Sequence, residues 1–325
     1  MEILFLGTSS GTPTRTRNVS ALAVRSPGAS HWSLVDCGEG TQHRLLHTNL
    51  SPRSLRAIFI THMHGDHCYG LPGLLASAGL LNRTEELFLV GPPQLRRFIE
   101  GVMDTSELRL PYRLEFVDVI DAARADVLPD LEVRATALSH RLPSFSYSFM
   151  EKAVENKLDA QKLKGAGIAP GPVWGRIQEG ADVAMADGRV LRSRDYLLPP
   201  RTPRKIIVAG DNDRPELLAD EARTAQVLVH EATYTDEVLQ KVGPGPQHSS
   251  ARMVARFAQD ANIRNLVLTH FSPRYQEHKG PLSTSDIEAE ARSHYEGRLF
   301  LANDLQRFVL DRQGELSAAP SDLTR

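Results

Sequence analysis

The stretch Thr61-His62-Met63-His64-Gly65-Asp66-His67 decides how the rest of this 325-residue chain is read. Three histidines and an aspartate fall within six positions, directly after the apolar run 55–60 and before a helical pattern over 67–81. A short apolar run bounded by turn residues predicts a buried strand, so the cluster lies on a strand-to-helix turn. Imidazole nitrogens bind borderline divalent cations, and a neighbouring carboxylate tightens such a site and orients water. His62 and His64 are two apart on an extended strand end and point to one side. Asp66 and His67 lie past the turn and can reach a second ion about 3.5–4 Å away, as in two-metal hydrolases. A solvated histidine-rich turn is the bland alternative.

Further ligands should terminate other strands. His140 follows the apolar run 131–138 through Ser139, Asp211 follows Lys205-Ile-Ile-Val-Ala-Gly210, and His270 follows Asn265-Leu-Val-Leu-Thr269. One histidine at a strand end is usually a capped or core residue. Three such groups, each ending a separate apolar strand, point instead to a shared site, because functional groups collect at strand ends of one sheet. Seven donors over two ions, with one carboxylate bridging, leave room for a reactive water, which suits a hydrolase.

Strand patterns also cover 2–7, 21–25, 32–35, 87–90, 114–119, 144–150, 205–209, 227–229, 265–268 and 298–301. Helical spacing covers 41–48, 94–103, 216–223, 250–259 and 286–295, with helix starts at Ser249 or Ser250 and at Thr284 or Ser285. A dozen short strands with helices between them suit two packed sheets covered by helices. The segment 151–205 breaks this pattern. Its centre, 165–175, holds six Gly or Pro in eleven residues and is expected to be neither helix interior nor central strand. A tolerated surface insertion is its bland reading, a functional loop the other. The polar tail 311–325 is expected to fray.

Composition bounds the function. With 41% hydrophobic and 24% charged residues the chain is globular, which excludes collagen-like, disordered and disulfide-dense classes. No apolar stretch reaches eighteen residues, so no membrane-spanning helix is expected. The opening residues 1–7 lack a basic region and read as a strand rather than a signal peptide. Two cysteines, Cys37 and Cys68, suit a reducing cytoplasm. The net charge of −2 disfavours a nucleic-acid partner until it is resolved along the chain. Residues 151–205 carry eleven Lys+Arg and seven Asp+Glu, a net of +4, which leaves −6 elsewhere. Arg15 and Arg17 add positive charge near the N-terminus. Phosphate binding depends on where cations sit more than on their sum.

Taken together, the motifs resemble the metallo-β-lactamase-like hydrolase superfamily and, within it, the short form of the ribonuclease Z family of tRNA 3′-processing endonucleases. The resemblance covers nearly the whole chain. It rests on the histidine cluster with His140, Asp211 and His270, on Phe5-Leu-Gly-Thr-Ser-Ser-Gly-Thr-Pro13, and on the loop Pro13-Thr-Arg-Thr-Arg-Asn18. Val35-Asp-Cys-Gly-Glu-Gly-Thr-Gln-His43, His230-Glu-Ala-Thr233 and His248-Ser-Ser250 extend it. The last two set it apart from other hydrolases of the superfamily. Asn212 and Ser250 stand where threonines are common in that family.

The resemblance implies an α/β fold, an αββα sandwich of two packed mixed sheets flanked by helices. A single domain would span 1–310, with 151–205 as an inserted flexible arm that clamps tRNA and 311–325 as a flexible tail. It implies that His62, His64 and His140 hold one metal ion, Asp66, His67 and His270 another, and that Asp211 bridges them. Zinc is the first expectation, with manganese, cobalt or iron as alternatives. Asp66 would take the proton of the attacking water and His248, held by Glu231, would protonate the leaving ribose oxygen, while Asp36 and His230 stand behind the ligands. Substrate contacts would come from Arg15, Arg17, Asn18, Lys162, Lys164, Gly165, Gly167, Gly171 and Arg176. The enzyme would be a cytoplasmic homodimer acting on precursor tRNA, with neither membrane nor DNA as partner. One rival is a small-molecule phosphodiesterase or other hydrolase of the same fold, for which a basic arm has no use. Another is a non-catalytic tRNA-binding protein with a structural metal, against which the complete ligand set argues.

Overall fold

The computed structural model describes residues 1–276 and 282–320, which divide into two compact units, Met1–Met150 with Arg204–Arg325 and Glu151–Pro203. In the larger unit the first half of the chain supplies β1 (Glu2–Gly7), β2 (Ala21–Arg25), β3 (Trp32–Val35), β4 (Leu55–Phe59), β5 (Leu87–Gly91), β6 (Leu114–Asp118), β7 (Leu131–Leu138) and β8 (Ser144–Glu151). The smaller unit contains four two-residue strands, β9 (Lys157–Leu158), β10 (Val183–Ala184), β11 (Val190–Leu191) and β12 (Leu197–Leu198). The chain then returns with β13 (Lys205–Val208), β14 (Val227–Glu231), β15 (Asn265–Thr269), β16 (Arg298–Leu301), β17 (Arg307–Leu310) and β18 (Leu316–Ala319).

One sheet has the order β18-β17-β1-β2-β3-β4-β5-β6, antiparallel as far as β3 and parallel beyond it. The other has the order β16-β15-β14-β13-β8-β7, with β13 to β16 parallel. Side chains alternate between layers. Ile3 and Phe5 of β1, Val227 and Val229 of β14 and Val267 of β15 share the core between the sheets. Ile58 and Leu89 face a second core with Leu71, Leu74, Leu75 and Ile99 from the helices Leu71–Leu80 and Gln94–Thr105. Leu228, Leu266 and Leu268 face a third, with residues of the helices Ala251–Asp260 and Thr284–Arg292. Strands covered on both faces read as continuous apolar runs, which is why the sequence located them within two residues. This is the αββα sandwich that the motifs implied.

Four expectations need correction. The helix over 67–81 is two helices, Gly65–Cys68 and Leu71–Leu80. Gly70 separates them: its N–H donates to Cys37 O at 2.9 Å, and a Cβ there would sit 2.1 Å from Gly38 O. The stretch 165–175 does enter a helix, Pro172–Gln178. Proline is preorganised for the first helical turn, and one interior glycine costs only about 1 kcal/mol. Leu163, Ile168, Ile177, Val183 and Leu191 give that unit a core of its own, so it is a folded insertion rather than a long loop. The basic boundary also moves. Arg204 and Lys205 belong to the larger unit, where Lys205 is buried against Glu221, so Glu151–Pro203 has nine Lys+Arg against seven Asp+Glu, a net of +2. Finally, the tail is ordered through 320. Asp311 Oδ1 accepts from Gln313 N and Glu315 N, Gly314 takes a φ of +82°, and β18 pairs with β17 over a buried Leu316. Residues 321–325 lie outside the described residues.

Candidate metal centre

The seven proposed ligands lie at the carboxyl ends of β4, β7, β13 and β15, where parallel strands leave room for a site. Ligand atoms of His62, His64, His140 and Asp211 lie within 4.8 Å of one another, as do those of Asp66, His67 and His270. The two groups adjoin: the His62 and His67 ring centroids are 4.1 Å apart, and Asp211 lies against both. Asp211 Oδ2 faces His62 Nε2 at 3.6 Å and His140 Nε2 at 3.8 Å, while Oδ1 faces His67 Nε2 at 3.5 Å and His270 Nε2 at 3.3 Å.

Hydrogen bonds around the rim define which nitrogen faces inward. His67 Nδ1 donates to Asp36 Oδ2 at 2.7 Å, and His140 Nδ1 donates to Gln247 O at 2.9 Å. Thr61 Oγ1 gives its proton to Asp36 and so accepts from His62 Nδ1 at 3.0 Å. In the same way Thr233 Oγ1 donates to Glu231 and accepts from His270 Nδ1 at 3.0 Å. With each outer Nδ1 protonated, the four Nε2 lone pairs point into the cluster, the tautomer a metal ligand needs. His64 differs, presenting Nδ1 at 3.0 Å from His62 Nε2 and 3.1 Å from His140 Nε2.

Electrostatics fit a cation. Burial pushes His62, His64 and His140 below the usual histidine range, toward the neutral form that ligates. Burial alone would raise Asp66 and Asp211, but the imidazoles around them hold both well below the usual carboxylate range. Burial likewise opposes charge on His67, yet Asp211, Asp66 and Asp36 raise it well above its ordinary value. This surplus of buried carboxylates requires positive charge, which a divalent ion supplies. The donor set is thus compatible with divalent metal binding.

His248 also comes within reach of Asp211 and His270. Its Nδ1, however, lies 3.0 and 3.1 Å from the two Glu231 oxygens and 3.8 Å from Asp211 Oδ2. Burial works against its charge, but Glu231 and Asp211 raise it to about 9. Protonated at neutral pH, its ring can donate a proton. His230 turns away from the ligands: its Nδ1 donates to Glu231 O at 2.8 Å and its Nε2 accepts from Asn212 Nδ2 at 3.1 Å.

The N-terminal loop touches the cluster through Gly11, whose N–H donates to Asp66 Oδ2 at 2.7 Å. Arg15 is exposed, but Arg17 is a correction, being only 5% exposed. Its Nη1 donates to Thr8 Oγ1 and Ala302 O at 2.7 Å, its Nη2 donates to Asn303 Oδ1 at 2.8 Å, and its guanidinium covers Phe271. It holds the loop and is closed to solvent. Asn18 is half-buried and donates from Nδ2 to Glu39 O at 2.9 Å. In the smaller unit Lys162, Lys164, Gly165, Gly167, Gly171 and Arg176 are all exposed, and Lys162 Nζ donates to Asp195 O at 2.6 Å. The parts played by Thr61, Thr233 and Gln247 had no sequence signal of their own. Gln247 adopts a φ of +54° so that its carbonyl meets His140.

Comparison with known proteins places this geometry. The family model of the anti-Pycsar protein Apyc1 matches residues 1–150, which include the histidine cluster and His140 but not Asp211, Glu231, His248 or His270. Among solved structures, human short-form tRNase Z aligns with a TM-score of 0.66 and 27% identity over 96% of this chain and all of its own. The metallo-β-lactamase fold protein YhfI of Bacillus subtilis aligns with a TM-score of 0.63 at 15% identity, over 98% of this chain and 99% of its own. A ribonuclease Z of Brevibacillus brevis is 40% identical over 96% of this chain and 98% of its own length. That of Marinobacter nauticus is 53% identical over 97% of this chain and 98% of its own. With such identity sustained over nearly the full length of both proteins, the chain belongs to the ribonuclease Z family.

Proposed function

We infer that this protein is a hydrolytic, metal-dependent endoribonuclease that removes the 3′ trailer from precursor tRNA, leaving a 3′-hydroxyl on the tRNA and a 5′-phosphate on the trailer. The observation that carries this reading is His248, hydrogen-bonded to Glu231 and set beside a seven-donor cluster. His62, His64 and His140 would hold one divalent ion, Asp66, His67 and His270 a second, and the two oxygens of Asp211 would serve both. Zinc suits these nitrogen and oxygen donors. Such ions supply the charge that polarises a phosphodiester and acidifies water.

The chain's own groups manage the protons. Asp66, aligned by Gly11 N–H, would accept the proton of the attacking water. As the new P–O bond forms and the bond to the ribose 3′-oxygen breaks, His248 protonates that poor leaving group, and Glu231 stabilises its charged form beforehand. The exposed cations Arg15, Lys164 and Arg176 would meet phosphates of a folded RNA. A cytoplasmic homodimer belongs to the same proposal, as does one subunit's insertion holding the tRNA cut by the other. His248→Ala should retain both ions by elemental analysis and lose at least about 10²-fold in turnover. Full activity in that variant would remove His248 from the mechanism.

A further inference from the structure

Between the strand ends lies one residue whose every polar group is committed to a different part of the site. Asn212 is fully buried directly after Asp211. Its N–H donates to Glu231 Oε1 at 2.8 Å, and its carbonyl accepts from Ser249 Oγ at 2.6 Å, next to His248. Its Oδ1 accepts from Ser139 N at 3.2 Å, next to His140, and from Arg214 N at 3.1 Å. Its Nδ2 donates to His230 Nε2 at 3.1 Å. The amide orientation follows from the partners: two N–H groups require the oxygen on one side, and the bare His230 Nε2 requires a donor on the other.

We propose that Asn212 is a positioning residue for the proton-transfer step, tying the Glu231–His248 pair to the strand ends that carry Asp211 and His140. It touches neither water nor leaving group: its side chain, fixed by Ser139 N, Arg214 N and His230 Nε2, places the backbone N–H and carbonyl that meet Glu231 and Ser249. No smaller or charged side chain reproduces the set. Alanine leaves Ser139 N, Arg214 N and His230 Nε2 without partners. Aspartate keeps both accepted bonds but sets a carboxylate oxygen against the His230 lone pair, so His230 must protonate or turn. The proposal rests on His248 being the acid for the leaving group, and leaving-group chemistry therefore tests it. A ribose 3′-oxygen needs a proton to depart, whereas p-nitrophenolate does not.

The test compares metal-loaded full-length wild type, Asn212→Ala, Asn212→Asp and His248→Ala on a 3′-extended pre-tRNA and on bis(p-nitrophenyl) phosphate, with metal content measured alongside. The proposal expects kcat on pre-tRNA to fall about 10- to 100-fold in both Asn212 variants, with KM within about twofold and metal retained. The loss on the aryl diester should be at least about fivefold smaller. Asn212→Asp, which preserves volume, carries the test if alanine destabilises the fold. Equal losses on the two substrates, losses that track missing metal, or kcat within about twofold of wild type would overturn the proposal. The control separates two failures. If His248→Ala is selective for pre-tRNA and the Asn212 variants are not, the role of Asn212 falls. If His248→Ala itself shows no selectivity, the acid assignment falls and takes this proposal with it.

Discussion

In the larger unit His62, His67, His140 and His270 each commit their outer nitrogen to an oxygen of Thr61, Asp36, Gln247 or Thr233, and burial or neighbouring carboxylates shift the first three. In Glu151–Pro203, Lys164 and Arg176 stand exposed on short helices around a core of five small or medium apolar side chains. The contrast reflects the two tasks. Bond breaking needs groups held to within a fraction of an ångström, which only buried, mutually hydrogen-bonded residues provide. Gripping the phosphates of a folded RNA needs charge at roughly the right place, and exposed side chains suffice. Damage to the metal ligands of the first region should therefore harm every substrate, and damage to the second only large ones.

The largest effect is expected at Asp211. Its replacement by alanine should lower turnover by more than about 10³-fold on both pre-tRNA and bis(p-nitrophenyl) phosphate and reduce bound metal. Persistent hydrolysis of the aryl diester would break the comparison at its stronger end. Next comes the double change Lys164→Ala with Arg176→Ala. It should raise KM for pre-tRNA roughly tenfold and flatten the salt dependence of binding by about 1.5 in log–log slope, for two lost phosphate contacts. The aryl diester should barely respond, and equal losses on both substrates would favour the small-molecule hydrolase. The smallest effect is at Gln247, whose φ of +54° suits glycine. Gln247→Gly should be nearly neutral in thermal unfolding, while Gln247→Val should cost about 1–2 kcal/mol, because a β-branched residue resists the left-handed region. Equal stabilities would mean that the loop relaxes and that His140 is held by other contacts.

How much of this was legible follows the same division. The core strands announced themselves because both faces are covered, and the ligands because each ends such a strand. Residues 307–310 and 316–319 escaped notice, since β18 has one buried apolar residue, Leu316, after a polar turn. The helix Asp236–Val242 is short, with only Val238 buried, and left no periodic stripe. Arg17 misled because a basic residue in a Thr-rich loop reads as solvent-facing. Two of its partners, Ala302 and Asn303, lie nearly 300 residues away. The role of Asn212 is hidden for the same reason: apart from Arg214, its partners come from 73, 19, 18 and 37 residues away, and no local pattern encodes them. In the insertion, Gly and Pro composition concealed two helices whose buried Leu163 and Ile177 are too few to show a period.

The most direct measurement incubates the purified protein with a 3′-extended precursor tRNA, with and without a chelator, and maps both new ends. A two-metal endonuclease predicts a single cut at the trailer junction, a 3′-hydroxyl on the tRNA, a 5′-phosphate on the trailer, and loss of cleavage with chelator that added divalent ions restore. Intact precursor in the presence of metal, chelator-insensitive cleavage, or a 3′-phosphate on the tRNA would contradict the account.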